Sequence, residues 1–499
     1  MQEKFMLRSA RALTLFALVL SLSACAGKKK GDPSTPGGDG GGEPNTQEQI
    51  KEAKVATLID LANEDLQAGK HRKARERAEE ALATDSSNAD AYAVLGAADW
   101  RAGDFENSTK NYKEALEIDP KNFGAALGLA RSHQTMGDHQ KALELADSLL
   151  AIDAKQVDPM MYKFWSQYAL TDMDAASKTA DEMFKYIGKD NPLQPILVAQ
   201  ATYARALEGK GPLLQIEGTS GSSDAQIDPN GGFKHAGAVV GGEFTRAIFY
   251  EVREEARINK DFVAQLGLKP IGKVTPAGTA DELDIVIIPE VKLGNLVLKN
   301  VPALAEDLSI YSAIGEVPGL VLGRQVMQKL GTITFDFPTG SSTFSPAAPA
   351  EKPSGAFEAP LLLIDMRLLL IPVTKTALGE SEYSFYTWFG GSFLKASTAI
   401  TRRAFLKSGN LPRELEELDD EANGLKMVYV KKLRVGEFEL PGVGALVLVN
   451  TPPSPELGQL VTGTGFEISG YVNPTVLKNL KVTYSVPTGK IYMTPRAAG

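Results

Sequence analysis

The chain has 499 residues, 43% of them hydrophobic, with 62 acidic and 53 basic side chains and a net charge of −9. That length accommodates about two to four domains, and an acidic chain without a basic patch argues against a nucleic-acid partner. Four histidines without ligand spacing (His71, His133, His139, His235) and a single cysteine give no zinc or iron site and no disulfide. The histidines read as surface residues, and no cofactor or metal is expected.

At the amino terminus Lys4, Arg8 and Arg11 precede the apolar run Ala12 to Leu22, which is too short to span a bilayer and has the order of a secretory signal. Leu22-Ser23-Ala24-Cys25 follows and resembles the lipobox of bacterial lipoproteins. The resemblance implies that residues 1–24 are removed, that Cys25 carries lipid as the first mature residue, and that the protein is anchored in the bacterial cell envelope. Ala26, where retention at the inner membrane usually needs Asp, makes the outer membrane the expected address. Residues 25–50, rich in Gly and Pro, cannot bury a core and read as a flexible tether reaching roughly 25 Å.

Residues 51–208 repeat. Gly69, Gly103 and Gly137 stand 34 apart, as do Asp85, Asp119 and Asp153, and Leu82, Leu116 and Leu150. Each unit reads as two amphipathic helices, the first ended by a glycine in the left-handed conformation. Period and residues resemble the tetratricopeptide repeat, most fully from Ala91 to Asn122, with Leu95-Gly96, Tyr112, Ala115 and Pro120. Asp99 stands where an aromatic is usual and Ser108 where alanine is. A fourth, degenerate copy is expected from Pro159 to about Asn191, Ala176 lying 34 beyond Ala142. The resemblance implies a groove for proteins or extended peptides.

After Pro212 the sequence turns to short β-branched and aromatic runs between Gly, Pro and Asn turns. This half repeats too: "VPGLVLGRQVMQKLGTITFDFPTG" from Val317 is echoed by "FEISGYVNPTVLKNLKVTYSVPTG" from Phe466, and "PLLQIE" at Pro212 by "PLLLID" at Pro360. Two tandem β domains are expected, 209–344 and 360–499, with a Pro/Ala/Ser linker at 345–359. Gly319-Leu320-Val321-Leu322-Gly323, Met327, Leu330 and "TITFDF" resemble the carboxy-terminal signature of the retropepsin-like aspartic proteases, with Gly470, Val476 and "KVTYSV" as the second copy. The expected fold class is therefore multidomain α + β: an N-terminal α-solenoid of helix-turn-helix repeats, then two mainly-β, acid-protease-like barrels in tandem.

In that family a strand ends in Asp-Thr-Gly-Ala-Ser, and two such lobes supply two carboxylates that share a proton. The resemblance places Tyr250 ("YEVRE") and Phe393 ("FLKAS") at the two aspartate positions, with Phe389 there in an alternative register. Phenyl and phenol groups cannot act as that acid and base near neutral pH. Displaced acids remain as alternatives: Glu251, one place from Tyr250, or Glu217 with Asp365, which stand 148 apart after the two "PLL" runs. "VTGTG" (Val461 to Gly465) carries Val in the aspartate place and reads as a loop. The expected function is a lipid-anchored envelope binding or scaffold protein whose β lobes are catalytically degenerate; the alternative is an active aspartic endopeptidase using displaced acids.

Overall fold

The computed structural model describes residues 47–191, 193–228, 233–251, 253–349, 351–365, 370–382, 384–389, 398–410, 412, 424–435, 438–449, 468–472 and 477–495. Its chain divides into two compact units, one ending at Ser132 and one beginning at His133.

The first unit is helical: α1 (Gln47–Gln67), α2 (His71–Thr84), α3 (Ala89–Ala102), α4 (Phe105–Ile118) and most of α5 (Phe123–Thr135). Helix α1 begins within the stretch expected to be tether. Gly69 and Gly103 adopt φ of 72° and 78° at the ends of α1 and α3. Asn88 and Asp104 start the following helices, their side chains accepting from the amides of Ala91 and Asn107. Fully buried Ala74, Ala78, Ala81, Ala91 and Ala115 let neighbouring helices approach closely. The buried ring of Tyr112 takes the remaining space. A Cβ on Gly96 or Gly128 would overlap that ring, so α3 and α5 carry glycine where it lies.

The second unit opens with four more helices, α6 (His139–Ile152), α7 (Val157–Ala169), α8 (Met173–Met183) and α9 (Gln194–Leu207). The β region follows with β1 (Gln215–Glu217), β2 (Gly221–Asp224), β3 (Gln226–Ile227), β4 (Lys234–Val240), β5 (Glu243–Phe249), β6 (Ala256–Asn259), α10 (Lys260–Gln265), β7 (Gly272–Val274), β8 (Leu283–Leu293), β9 (Leu296–Glu306), β10 (Leu320–Leu322), α11 (Arg324–Leu330), β11 (Thr332–Asp336) and β12 (Ser341–Ser345). Strands β4, β5, β10, β6, β9 and β8 pair in that order, and β8 also pairs with β4, which closes a six-stranded barrel. Strand β10 is inserted late, parallel to β5 and antiparallel to β6.

The rest of the chain repeats this plan. It comprises β13 (Phe357–Pro360), β14 (Leu362–Asp365), β15 (Leu370–Leu378), β16 (Ser384–Phe389), β17 (Thr398–Thr401), α12 (Arg402–Ser408), β18 (Gly424–Val435), β19 (Phe438–Val449), β20 (Ile468–Val472), β21 (Leu480–Ser485) and β22 (Lys490–Pro495). Strands β15, β16, β20, β17, β19 and β18 form a second closed ring, with β20 again parallel to one neighbour and antiparallel to the other. A six-stranded sheet in the order β13-β22-β21-β11-β12-β2 joins the two lobes. At its centre Thr334 lies opposite Thr483, their hydroxyls 2.8 Å apart, and the strand order mirrors itself about that pair. One apolar core runs through both lobes, from Phe249 and Leu298 to Leu433 and Val447, with Phe335 and Tyr484 contributed by the central strands of the shared sheet. Strand β13 occupies the end of the stretch expected to be linker, because it is needed as an edge of this sheet. No helix among the described residues is long and apolar enough to cross a membrane.

Candidate functional site

The β5–β6 connection of the first lobe carries Tyr250 and Glu251. It is pinned on both sides by the inserted strand and the helix after it. The Tyr250 amide donates to Leu322 at 3.0 Å, and the carbonyls of Arg253 and Glu254 accept from the amides of Arg324 and Gln325, the first residues of α11, at 2.7 and 3.1 Å. Gly323 permits this approach, since a Cβ there would run into the carbonyl oxygens of residues 253–255. The Tyr250 ring is buried edge-on against Phe233 at 5.3 Å, with Tyr311 at 6.2 Å.

Glu251 is buried and accepts from Lys234 Nζ at 2.8 Å, an ion pair in which both side chains are almost fully enclosed. Burial works against the Lys234 ammonium, but Glu251 and Tyr484 together outweigh it and raise the lysine pKa above its ordinary value. The ammonium also lies 5.2 Å from the ring centre of Tyr484 in the other lobe. The second carboxylate oxygen of Glu251 is buried without a donor among the described residues. Beside it is a cavity of about 20 Å³, lined also by Arg324, Met327, Ile333, Leu361 and Tyr484. That is room for roughly one water and no substrate.

The neighbouring acids are engaged as well. Glu254 pairs with Arg324; Glu255 pairs with Arg257 at 3.1 Å; Glu306 pairs with Arg257 at 3.0 Å and Arg253 at 3.8 Å. From α7, the Tyr168 hydroxyl donates to Glu255 at 2.6 Å, and its carbonyl accepts from Gln325 at 2.8 Å. Burial, then the Glu255 charge, holds the Tyr168 phenol well above its usual range. His139 of α6 lies 3.0 Å from Gln328, and burial, then Arg324, lowers its pKa to about 3. Chemically this is a set of carboxylate–cation pairs clamped under helices, whereas acid-protease chemistry needs two carboxylates sharing a proton. His139 and His235 are both buried, contrary to the surface reading, because each packs into an element contact that burial of a neutral ring tolerates.

Glu217 and Asp365 are not brought to matching places. Glu217, on exposed β1, faces Val297 of β9 with Lys299 3.9 Å away, whereas Asp365 ends β14 opposite Leu370 of β15. The "PLL" run precedes the sheet strand β2 in the first copy but follows the corresponding strand β13 in the second, so the spacing of 148 joins strands with different partners. In the strand register Phe249 ends β5 opposite Leu322 of β10, and Phe389 ends β16 opposite Val472 of β20. Phe393 and Cys25 lie outside the described residues.

The helical repeats hold a polar feature that the sequence reading missed. Arg77 pairs with Asp65 at 3.1 Å, Asn111 donates to Asp99 at 2.7 Å, and Thr179 donates to Gln167 at 2.7 Å. Acceptor and donor are twelve apart each time, and the acceptors fall on the 34-residue period. The usual aromatic has been replaced by a side-chain bond between the two helices of a repeat. Arg75 also pairs with Asp99. Burial nonetheless raises the Asp99 pKa to about 6, against the pull of Arg75 and Asn111. The spacing of twelve between Asp99 and Asn111 was the available signal.

Two family models of the tetratricopeptide repeat match residues 59–122 and 99–164. The N-terminal helical region therefore consists of tetratricopeptide repeats. Similar solved structures include MamA from Desulfovibrio magneticus RS-1, at 11% identity over 30% of this chain and 84% of that one, with a TM-score of 0.27. YrrB, described as a TPR protein with an unusual peptide-binding site, is 17% identical over 32% of this chain and 81% of its own, at a TM-score of 0.27. A thermophilic TPR protein of Thermus thermophilus is 15% identical over 32% of this chain and 92% of its own, at a TM-score of 0.26. No curated protein sequence matches the chain.

Proposed function

We propose that this protein is a lipid-anchored envelope scaffold that binds protein or peptide partners through its helical repeats and carries two aspartic-protease-like lobes without the catalytic acids. The repeats support a binding or scaffold role, because stacked helix pairs offer an extended surface for a polypeptide. Two closed barrels, each with a late strand inserted between two earlier ones and joined by a mirrored sheet, support the protease likeness. The observation that carries the loss of catalysis is the Lys234–Glu251 pair: the acid nearest the expected catalytic place is neutralised by a lysine of its own lobe.

The lipobox-like Leu22-Ser23-Ala24-Cys25 supports the anchor and an outer-membrane address. Cys25→Ser is expected to move the protein from the membrane pellet to the soluble fraction, and a mutant that stays in the pellet removes the anchor from this reading. Partners are expected in a pull-down of the whole protein from solubilised membranes. The mature chain is expected not to cleave peptides at acidic or neutral pH. Hydrolysis that disappears in Glu251→Gln would replace this reading with the endopeptidase.

A further inference from the structure

We propose that the outer edge of β18, at Leu425 to Met427 of the second lobe, takes up an extended, carboxylate-bearing segment of a partner polypeptide as an added antiparallel strand. The site is separate from the helical repeats and stands whether or not they bind a partner. The first lobe shows how the equivalent edge is completed there. Strand β7 pairs antiparallel with Leu283 to Ile285 of β8, and its Gly272 sits so close to α9 that a Cβ would overlap Ala206. The β8–β9 and β18–β19 hairpins align on their pairing with the preceding barrel strand, Val291 opposite Val240 and Leu433 opposite Leu378. Seven residues before these, Asp284 and Lys426 hold equivalent places. Strand β18 pairs with β19 on one side, and with β15 only at Leu433 to Val435. Among the described residues its outer edge from Gly424 to Val430 therefore has no neighbouring strand.

An unpaired edge presents a row of backbone donors and acceptors that a further strand can satisfy. Its side chains select which strand. In the first lobe Asp284 of the edge faces Lys273 of β7, with 3.6 Å between carboxylate and ammonium. In the second lobe the sign is reversed. Strand β18 carries Lys426, Lys431, Lys432 and Arg434 and no acid, in a chain of net charge −9. Lys432 is taken by Glu380 and Glu439, whereas exposed Lys426 and Lys431 form no ion pair among the described residues. Like charges make a second copy of this strand a poor neighbour, and a strand bearing Glu or Asp a good one. Between the two lysines Met427 and Tyr429 are 60% and 67% exposed. Tyr429 lies across Gly442 of β19, where a Cβ would overlap its ring, so the hairpin presents a flat apolar surface beside the edge. The segment that fits alternates carboxylates with apolar side chains.

The test uses the whole mature chain and a short peptide alternating Glu with Val, beside the same peptide with Lys for Glu and a third with Pro at its central Val, read by calorimetry. The Glu peptide is expected to bind at least about tenfold tighter than either control, because one has the wrong charge and the other lacks a ladder donor. Lys426→Glu with Lys431→Glu is expected to reverse the order of the Glu and Lys peptides with an unchanged circular dichroism spectrum, since both side chains are exposed. Loss of folding cannot produce that reversal. Met427→Ser with Tyr429→Ser is expected to weaken the Glu peptide by about tenfold. Equal binding of the Glu and Lys peptides, an unreversed order in the charge variant, or a Pro peptide as tight as its parent overturns the added strand. A dimer that Tyr429→Lys abolishes, with no peptide bound, would give the edge to a second copy. Glu-peptide binding only after Glu414, Glu416 and Glu417 are changed to Ser would give it to the chain's own preceding segment, and either result overturns the partner assignment. If no peptide binds, the proposal falls.

Discussion

The helical repeats and the β lobes are both products of duplication, yet they use it in opposite ways. In the repeats a unit of 34 residues bonds within itself and to its neighbour, as Asp99 does with Asn111 and Arg75. In the lobes the copies are some 149 residues apart and meet directly, Thr334 against Thr483, within a sheet and a core that neither copy completes alone. Local duplication gives a structure whose stability adds up unit by unit. Distant duplication gives a single cooperative body, in which one buried charge is felt by both copies.

The strongest way to break this contrast is Lys234→Met. It leaves Glu251 buried without its counter-ion, with an expected loss of about 3–5 kcal/mol in denaturant unfolding at neutral pH. Adding Glu251→Gln is expected to recover most of the stability. Both lobes should lose structure together while the first helical unit keeps its own transition; separate unfolding of the two lobes would show that their shared core does not couple them.

Gly128→Val probes the opposite regime. The new side chain overlaps the buried Tyr112 ring, and an overpacking loss of up to about 3 kcal/mol is expected in the helical transition alone, followed by far-ultraviolet circular dichroism. Equal movement of the β transition would contradict the local character of the repeats.

Acidity should separate the units next. His139, with a folded pKa of about 3 against an ordinary 6.5, leaves stability untouched above pH 6.5 and removes it as pH falls, by about 2 kcal/mol at pH 5. Asp99, raised from 3.8 to about 6, has the reverse sign: its contribution is full below 3.8 and is lost as pH rises through about 6. The second unit is therefore expected to weaken on acidification from about pH 6.5 to about pH 4 while the first strengthens, as seen in thermal melts with two resolved steps. His139→Gln should reduce the first trend, which His235 shares, and Asp99→Asn should flatten the second.

The smallest expected effect is at the two-fold centre. Thr334→Val leaves the Thr483 hydroxyl buried without its partner, for about 1 kcal/mol, whereas Thr334→Val with Thr483→Val should be nearly neutral. A double mutant as unstable as the sum of the singles would mean that the hydroxyl pair is not a unit.

By itself the sequence determined the helical repeats, because every contact that defines a unit falls within one period of it. Gly69, Gly103 and Ala115 announce their turns and close approaches through the spacing alone. It also announced that the β half is doubled, through "TITFDF" and "KVTYSV", which became the central strands of the shared sheet. Tertiary structure decided the rest. It set which "PLL" run precedes the sheet strand and which follows it, and so separated Glu217 from Asp365. It brought Lys234 onto Glu251 from seventeen residues away across a hairpin, and Tyr168 onto Glu255 from a helix 87 residues upstream. The side chains that meet a buried carboxylate depend on strand register and on which helix covers a loop. Those are properties of long-range packing, and no local spacing encodes them.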